Sequence, residues 1–389
     1  MSTLKVECVK VNNIIPHPNA DRLEIAVIKG WNCVVRKGDW HVGDLGVYFP
    51  IDSVLDPEVE AAIFPPESKI KLSNSRVRTI KLRGAISQGL LVAFSDVVHL
   101  IPRELRCNHP YFRYEGADLT SATKTIKFEP PDNLPSQDRK GKTVKHTKSP
   151  NPYFHKYTDI ENFKNYVDLF KDTDFVVILE KIHGTNFRAG WVPFHATTWW
   201  EKCLEFVGFT PTWVFVYGSH NVQLQNRFMY GGYYKKNVYS EAVERYDLQK
   251  RIPKGFVIYG EIYGVGIQKG YKYGLEEGPN SVPRELRVFD VKAVSTEKYL
   301  DHRDATVFIQ SMGLKLPPEI YIGIYPGQQL LKKWVDGPSL VSPSQEIREG
   351  IVIKAIAETT CYLGRKILKY KSDEFLARYH PVCDGVFGR

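Results

Sequence analysis

Over residues 1–128, apolar and polar side chains alternate in short runs cut by turn residues. Leu4-Lys5-Val6-Glu7-Cys8-Val9, Leu23-Glu24-Ile25-Ala26-Val27-Ile28, Cys33-Val34-Val35 and Leu45-Gly46-Val47-Tyr48-Phe49 read as strands. Pro18-Asn19-Ala20-Asp21, Lys29-Gly30 and Lys37-Gly38-Asp39 separate them, so the pattern predicts a small β-barrel. Residues 129–152 lose this periodicity. Pro130, Pro131, Pro135, Lys140, Lys142, Lys145, Lys148, Pro150 and Pro152 mark an exposed basic linker. From 153 to 389 longer apolar runs return. Behind a capping Asp159, the spacing of Ile160, Phe163, Tyr166, Val167 and Phe170 predicts a helix. Strands follow at 175–179, 213–216, 256–259 and 286–291, with helices over 240–249 and 297–311, the second closed by Gly313. Glu349-Gly350-Ile351-Val352-Ile353-Lys354 and Ile367-Leu368-Lys369-Tyr370-Lys371 complete the pattern, and no internal repeat is evident.

The run Phe175-Val176-Val177-Ile178-Leu179 breaks into Glu180-Lys181-Ile182-His183-Gly184-Thr185-Asn186. A lysine at the end of a buried strand is partly desolvated, which disfavours its charged form and predicts a nucleophilic amine. Gly184 allows the backbone to approach a bulky ligand closely. Read alone, the stretch is a hairpin with a lysine at its tip. Further strand ends downstream also carry charge: Glu261, Asp290 beside Phe289, Glu349, and Lys369 with Lys371.

Lysine and arginine outnumber aspartate and glutamate by 53 to 44, a balance that suits a polyanionic partner. Lys69, Lys71, Arg76, Arg78, Lys81 and Arg83 concentrate that charge in the barrel, where it reads either as a solvated face or as a nucleic-acid surface. The cysteines Cys8, Cys33, Cys107, Cys203, Cys361 and Cys383 form no C-x-x-C pair, so neither a zinc knuckle nor a redox motif is indicated. They read as reduced residues of an intracellular protein, cytosolic or nuclear, with no signal peptide and no membrane span.

The order and local spelling of these strand ends resemble the covalent nucleotidyltransferase superfamily of polynucleotide ligases and capping enzymes. Glu180-Lys181-Ile182-His183-Gly184-Thr185-Asn186-Phe187 resembles the lysine motif in its RNA-ligase form; DNA ligases and capping enzymes more often have aspartate where His183 stands. Tyr259-Gly260-Glu261, Val288-Phe289-Asp290, Glu349 to Lys354 and Leu368-Lys369-Tyr370-Lys371 resemble the later motifs in their family order. Any one is weak, but five in order are a strong signal. The front half, with Pro16-His17-Pro18-Asn19-Ala20-Asp21-Arg22-Leu23-Glu24, Val47-Tyr48-Phe49-Pro50-Ile51-Asp52-Ser53 and Ser87-Gln88-Gly89-Leu90, resembles the OB module of the fifth RNA-ligase family. There the barrel precedes the nucleotidyltransferase domain. DNA ligases and capping enzymes place theirs after the fifth motif, and residues 372–389 are too few for five strands of roughly 5–6 residues each.

The resemblance implies an α+β protein with an N-terminal OB barrel at 1–128, the linker at 129–152, and an antiparallel-sheet nucleotidyltransferase domain at 153–389. It implies an ATP-dependent RNA ligase that joins 3′-OH and 5′-phosphate ends, at nicks in duplexes, through lysyl-AMP. A DNA ligase, a capping guanylyltransferase and a non-catalytic nucleic-acid-binding protein are the alternatives. Lys181 is the implied nucleophile. Glu180, Ile182, His183, Gly184, Asn186, Glu261, Phe289, Lys354, Lys369 and Lys371 are implied nucleotide contacts, with Phe289 stacking on adenine and Glu180 accepting from its amino group. Lys369 and Lys371 share a strand face, which suits a phosphate clamp. Glu349 and Glu261 are the candidate ligands of Mg²⁺ or Mn²⁺, hard cations that prefer carboxylates. RNA or an RNA-containing nicked duplex is the expected partner, bound by a monomer. Two positions depart from the family pattern: His220 stands where related ligases have an arginine that meets nucleotide or nucleic acid, and Asp159 where they have one near the triphosphate.

Overall fold

The computed structural model describes residues 4–65, 68, 71–100, 114–128, 151–196, 198–225, 237–279 and 281–379. The expected linker lies almost wholly outside the described residues, as do Lys69, Cys107 and Cys383. Two compact units are present. One contains Met1–Pro130, Glu161–Asp168 and Lys371–Arg389; the other contains Pro131–Ile160 and Leu169–Tyr370. Among the described residues no helix is long and apolar enough to cross a membrane.

In the first unit the alternating runs become strands Glu7–Lys10, Asn13–Pro16, Leu23–Ile28, Trp31–Arg36 and Leu45–Phe49, then Thr79–Leu82, Ala85–Gln88 and Leu90–Val92. Leu45–Phe49 lies between Glu7–Lys10 and Leu90–Val92, and Leu23–Ile28 between Asn13–Pro16 and Trp31–Arg36. The strand period of two sends neighbouring residues to opposite faces. Cys8 and Val47 enter one apolar core, while Val9 and Tyr48 enter a second. Burial of both faces explains why the inner strand Leu45–Phe49 is apolar nearly throughout.

The helix expected behind Asp159 is absent. Its residues form a short strand, Glu161–Asn162, and a 3₁₀ turn, Phe163–Asn165. Asn162 caps that turn by accepting from the Lys164 N–H, and Asn165 accepts from the Trp31 indole at 2.7 Å. Side chains that bond nearby backbone compete with helix, and here they win over apolar spacing. The Lys164 ammonium is buried, bonded to Gln88 Oε1 at 2.9 Å and Asp373 Oδ1 at 2.7 Å, 4.9 Å from the Trp31 ring.

Among the described residues the second unit contains two large sheets and a two-stranded ribbon, Thr360–Cys361 with Gly364–Arg365. Six antiparallel strands run in the order Gln223–Gln225, Trp213–Gly218, Thr185–Pro193, Phe256–Gly264, Arg284–Ala293 and Lys298–Tyr299. One face of this sheet is covered by helices Val238–Arg245 and His302–Ser311, whose Tyr239, Ala242, Ala305 and Ile309 join Phe187, Ile258 and Val288 in the largest core. The helix expected over 240–249 is split at Asp247, which has a left-handed φ of 48°. In the other sheet, Ile367–Lys371, Gly350–Ala355, Phe175–Lys181 and Glu319–Ile324 follow in that order.

Replacing Lys164 by methionine keeps the apolar stem and removes the ammonium shared by Gln88 and Asp373. The expected loss is about 1–3 kcal/mol of stability, read from urea unfolding followed by tryptophan fluorescence. A change below about 0.5 kcal/mol, ordinary for a surface substitution, would show that the buried amine does not hold this unit together.

Candidate active site

The strand Phe175–Lys181 is paired on both edges, with Glu319–Ile324 and with Gly350–Ala355, so Val176 to Glu180 are buried and only its ends emerge. The register sets Lys181 opposite Gly350 and therefore beside Glu349. Lys181 Nζ donates to Glu349 Oε2 at 2.7 Å, and His183 Nδ1 lies 3.4 Å from the same oxygen. Burial alone would lower the Lys181 pKa, but the charges of Glu349 and Glu261 outweigh it and raise the pKa above the ordinary lysine value. This corrects the expectation that desolvation makes Lys181 a neutral amine. The strand end is desolvated, as expected, but it is also acidic.

Several other expected residues converge here. Gly184 sits against the Phe256–Gly264 strand, where a Cβ would lie 2.2 Å from the Ile262 carbonyl and 2.8 Å from Glu261 Cγ. The close approach its missing side chain permits is thus to protein backbone. Asn186 pairs across the ladder with Glu261, and its Oδ1 is buried with no hydrogen-bond partner. Such an orphaned acceptor fits a donor supplied by a ligand. Ile182 is buried beside this turn. Glu180 is buried too, with its carboxylate accepting from Ser339 Oγ and from the Leu340 N–H at 2.7 Å. Burial raises its pKa despite those bonds.

Phe289 and Lys354 are placed differently. Tyr259 pairs with Asp290 and Gly260 with Val288, so Phe289 is the extra residue of a β-bulge, a feature that re-aims side chains. Its ring meets Tyr157 edge-on at 4.9 Å. Lys354 lies opposite Val177, four residues along its strand from Gly350, roughly 13 Å at the usual rise. The Lys354 ammonium is buried and donates to Asp290 Oδ1 at 2.9 Å and to the Phe289 carbonyl at 3.2 Å. Asp290 Oδ2 accepts from Arg365 at 3.0 Å and from the Tyr157 hydroxyl at 2.6 Å. Burial would raise the Asp290 pKa, but Arg365 and Lys354 hold it down to about 2. The structure therefore brings Lys354 to Asp290, not to Lys181. Lys369 and Lys371 lie on the strand next to Gly350–Ala355 and share a face, with Tyr370 buried on the other.

Among the described residues no group of three or more His, Cys, Asp or Glu side chains is arranged to hold a metal ion. Glu349 and Glu261 nevertheless act on the same amine. Mg²⁺ seldom uses an all-protein cage and takes one or two carboxylates together with waters and phosphate oxygens, a requirement these two residues meet in kind.

Within the barrel, Lys71, Lys81 and Arg83 are exposed. Arg76 instead bonds Asp52 and lies 3.5 Å from the centre of the Phe128 ring, and Arg78 is partly buried. His220 Nε2 lies 3.6 Å from Asp159 Oδ1, so the two departures from the family pattern face each other. Sequence reasoning missed Arg188. It is 1% exposed, donates to the carbonyls of Ser219 at 2.9 Å and Phe154 at 2.6 Å, and fixes the turn that leads to His220. Burial lowers its pKa to about 10. An arginine inside an apolar strand, Phe187-Arg188-Ala189, was the available signal.

No curated protein matches the chain significantly. A family model of an OB-fold domain matches residues 5–94. Among solved structures, a Naegleria gruberi RNA ligase mutant with ATP and Mn superposes with a TM-score of 0.69 at 21% identity, covering 96% of this chain and 98% of that one. A second mutant of that ligase with AMP and Mn gives the same values. The Naegleria ligase with PPi gives 0.66 at 21%, covering 96% and 97%. At such identities these likenesses establish a common α+β fold with its N-terminal OB domain. The RNA ligase family model matches residues 174–371, just over half of the chain and the whole span from the lysine strand to Lys371, and on that ground the chain belongs to the RNA ligase family.

Proposed function

We propose that this RNA ligase uses ATP to join a 3′-OH to a 5′-phosphate, at nicks in RNA-containing duplexes, through AMP carried on Lys181. The observation that carries the reading is the Lys181 amine held 2.7 Å from Glu349 at the mouth of a buried strand, with Glu261 acting on it as well. That the Naegleria ligase, similar in fold, was solved with ATP, AMP, PPi and Mn supports the choice of cofactor.

In the first step Lys181 Nζ bonds to the α-phosphorus of ATP, the bond to pyrophosphate breaks, and a proton leaves the nitrogen. The amine must be neutral to attack, and the neighbouring carboxylates make that form scarce at neutral pH. What those carboxylates contribute is position: a fixed amine needs little reorganisation before in-line attack. AMP then passes to the 5′-phosphate, and the 3′-OH displaces it. Asn186, with its free acceptor, faces a donor group of the nucleotide. Phe289 stacks on adenine, and Lys369 and Lys371 balance the phosphate charge. A divalent cation held by Glu349 and Glu261 with phosphate oxygens would supply positive charge to the transferring group. Exposed Lys71, Lys81 and Arg83 of the barrel contact the nucleic-acid backbone.

The reading is tested by incubating the protein with α-labelled ATP and Mg²⁺. Label should become covalent, acid-labile and alkali-stable, as a lysine phosphoramidate is, and Lys181→Arg should abolish it. Label persisting on that variant would place the nucleophile elsewhere, and equal labelling by GTP would favour a capping enzyme.

The steps should also separate. Lys181→Ala should still seal a nick whose 5′ end already carries AMP, because the last step makes no use of the amine as nucleophile. Glu349→Ala should lose at least about tenfold on the same substrate if Glu349 serves the phosphoryl chemistry itself. Full activity of Glu349→Ala there would confine its part to Lys181.

A further inference from the structure

The chain between the Phe256–Gly264 and Arg284–Ala293 strands has no apolar period and gave no functional signal, yet it grips the nucleophile's turn. The Tyr273 hydroxyl accepts from the His183 N–H at 2.8 Å, and Gln268 Nε2 donates to the Gly184 carbonyl at 2.7 Å. The Tyr271 ring meets the His183 imidazole edge-on at 4.9 Å. Its hydroxyl donates to the Ile347 carbonyl at 2.6 Å, two residues before Glu349. One short segment thus holds both chain stretches whose ends form the Lys181–Glu349 pair.

Its own conformation is constrained. Tyr271 and Tyr273 are buried while Lys272 between them is exposed. Tyr273 has a φ of 53°, in the left-handed region that bulky residues avoid. Gly274 follows at φ 72°, where a Cβ would meet the hydroxyls of Ser342 and Ser344 at 2.9 Å. Tyr273 packs against Tyr263 and Tyr271, with ring centres 5.0 and 5.6 Å away. Such strain persists only where surrounding contacts over-determine it, and it clusters at functional sites.

We infer that Gln268, Tyr271 and Tyr273 act as a staple that fixes Lys181 and Glu349 relative to each other for the attack on ATP, a role that rests on Lys181 being the nucleophile. None of the three touches the reacting atoms, so they are positioning residues. Removing a contact lets the two ends drift, and a displacement of about 1 Å costs on the order of a hundredfold in rate.

The test is single-turnover lysine adenylylation by the full-length protein, with α-labelled ATP, in Tyr273→Phe, Gln268→Ala and the exposed control Lys272→Ala. Tyr273→Phe keeps the ring and removes only the oxygen. Expected are a loss of about ten- to a hundredfold in the rate at saturating ATP for the first two variants, little change in the half-saturating ATP concentration, and none for the control. Wild-type rate in both variants would overturn the inference. So would a rate loss matched by a raised half-saturating ATP concentration or by a collapsed melting temperature. If the wild-type protein takes no label, the nucleophile reading falls and the staple with it. If it labels and the variants match it, only the staple falls.

Discussion

A charge pair at the ends of two neighbouring strands sets what this site can do. Lys181 and Glu349 are far apart in sequence, and only the antiparallel register of Phe175–Lys181 with Gly350–Ala355 brings them to 2.7 Å. That register is enforced from below. Val176, Val177, Ile178 and Leu179 pack opposite Ala355, Lys354, Ile353 and Val352, and a slip of one residue would turn every side chain to the other face. Folding energy spent on a hydrophobic sheet therefore appears at its rim as the placement of one amine. The same closeness holds the amine charged, so position is gained at the expense of nucleophilicity.

A second buried network joins the two large sheets of the catalytic unit. Asp290 on one sheet accepts from Lys354 on the other, and also from Arg365 and Tyr157. Arg365 is held in turn by both oxygens of Glu358 at 2.6 Å. Breaking a buried pair by removing one partner costs about 3–5 kcal/mol, so the arrangement works as a rigid strut. Because Phe289 is the bulged residue just before Asp290, the strut also fixes the ring proposed to stack on adenine.

Much of this was legible in the residues. The alternating runs of the barrel and the buried strands of the second unit follow from hydrophobic period. Lys181 and Glu349 stood out as charges at strand ends, whereas Glu261, expected at one, lies inside the strand Phe256–Gly264, paired with Asn186 and Arg287. What was hidden depended on contacts distant in sequence. That Lys354 donates to Asp290 was not visible, because the two are 64 residues apart. The helix expected behind Asp159 failed because Asn162 and Asn165 bond a backbone N–H and an indole that apolar spacing cannot register. Gln268, Tyr271 and Tyr273 lie in a loop without period. His220 and Asp159 read as two separate losses, whereas in space they form one pair.

Whether Glu349 sets the charge of the Lys181 amine is read from the amine's own titration. Lys181 remains 24% exposed, enough for a small reagent to reach it. Its rate of reductive methylation can be followed against pH by peptide mass spectrometry, in the wild-type protein and in Glu349→Gln. The wild type should show an apparent pKa above the ordinary lysine value and the variant a clearly lower one. The same apparent pKa in both proteins would show that Glu349 does not set that charge.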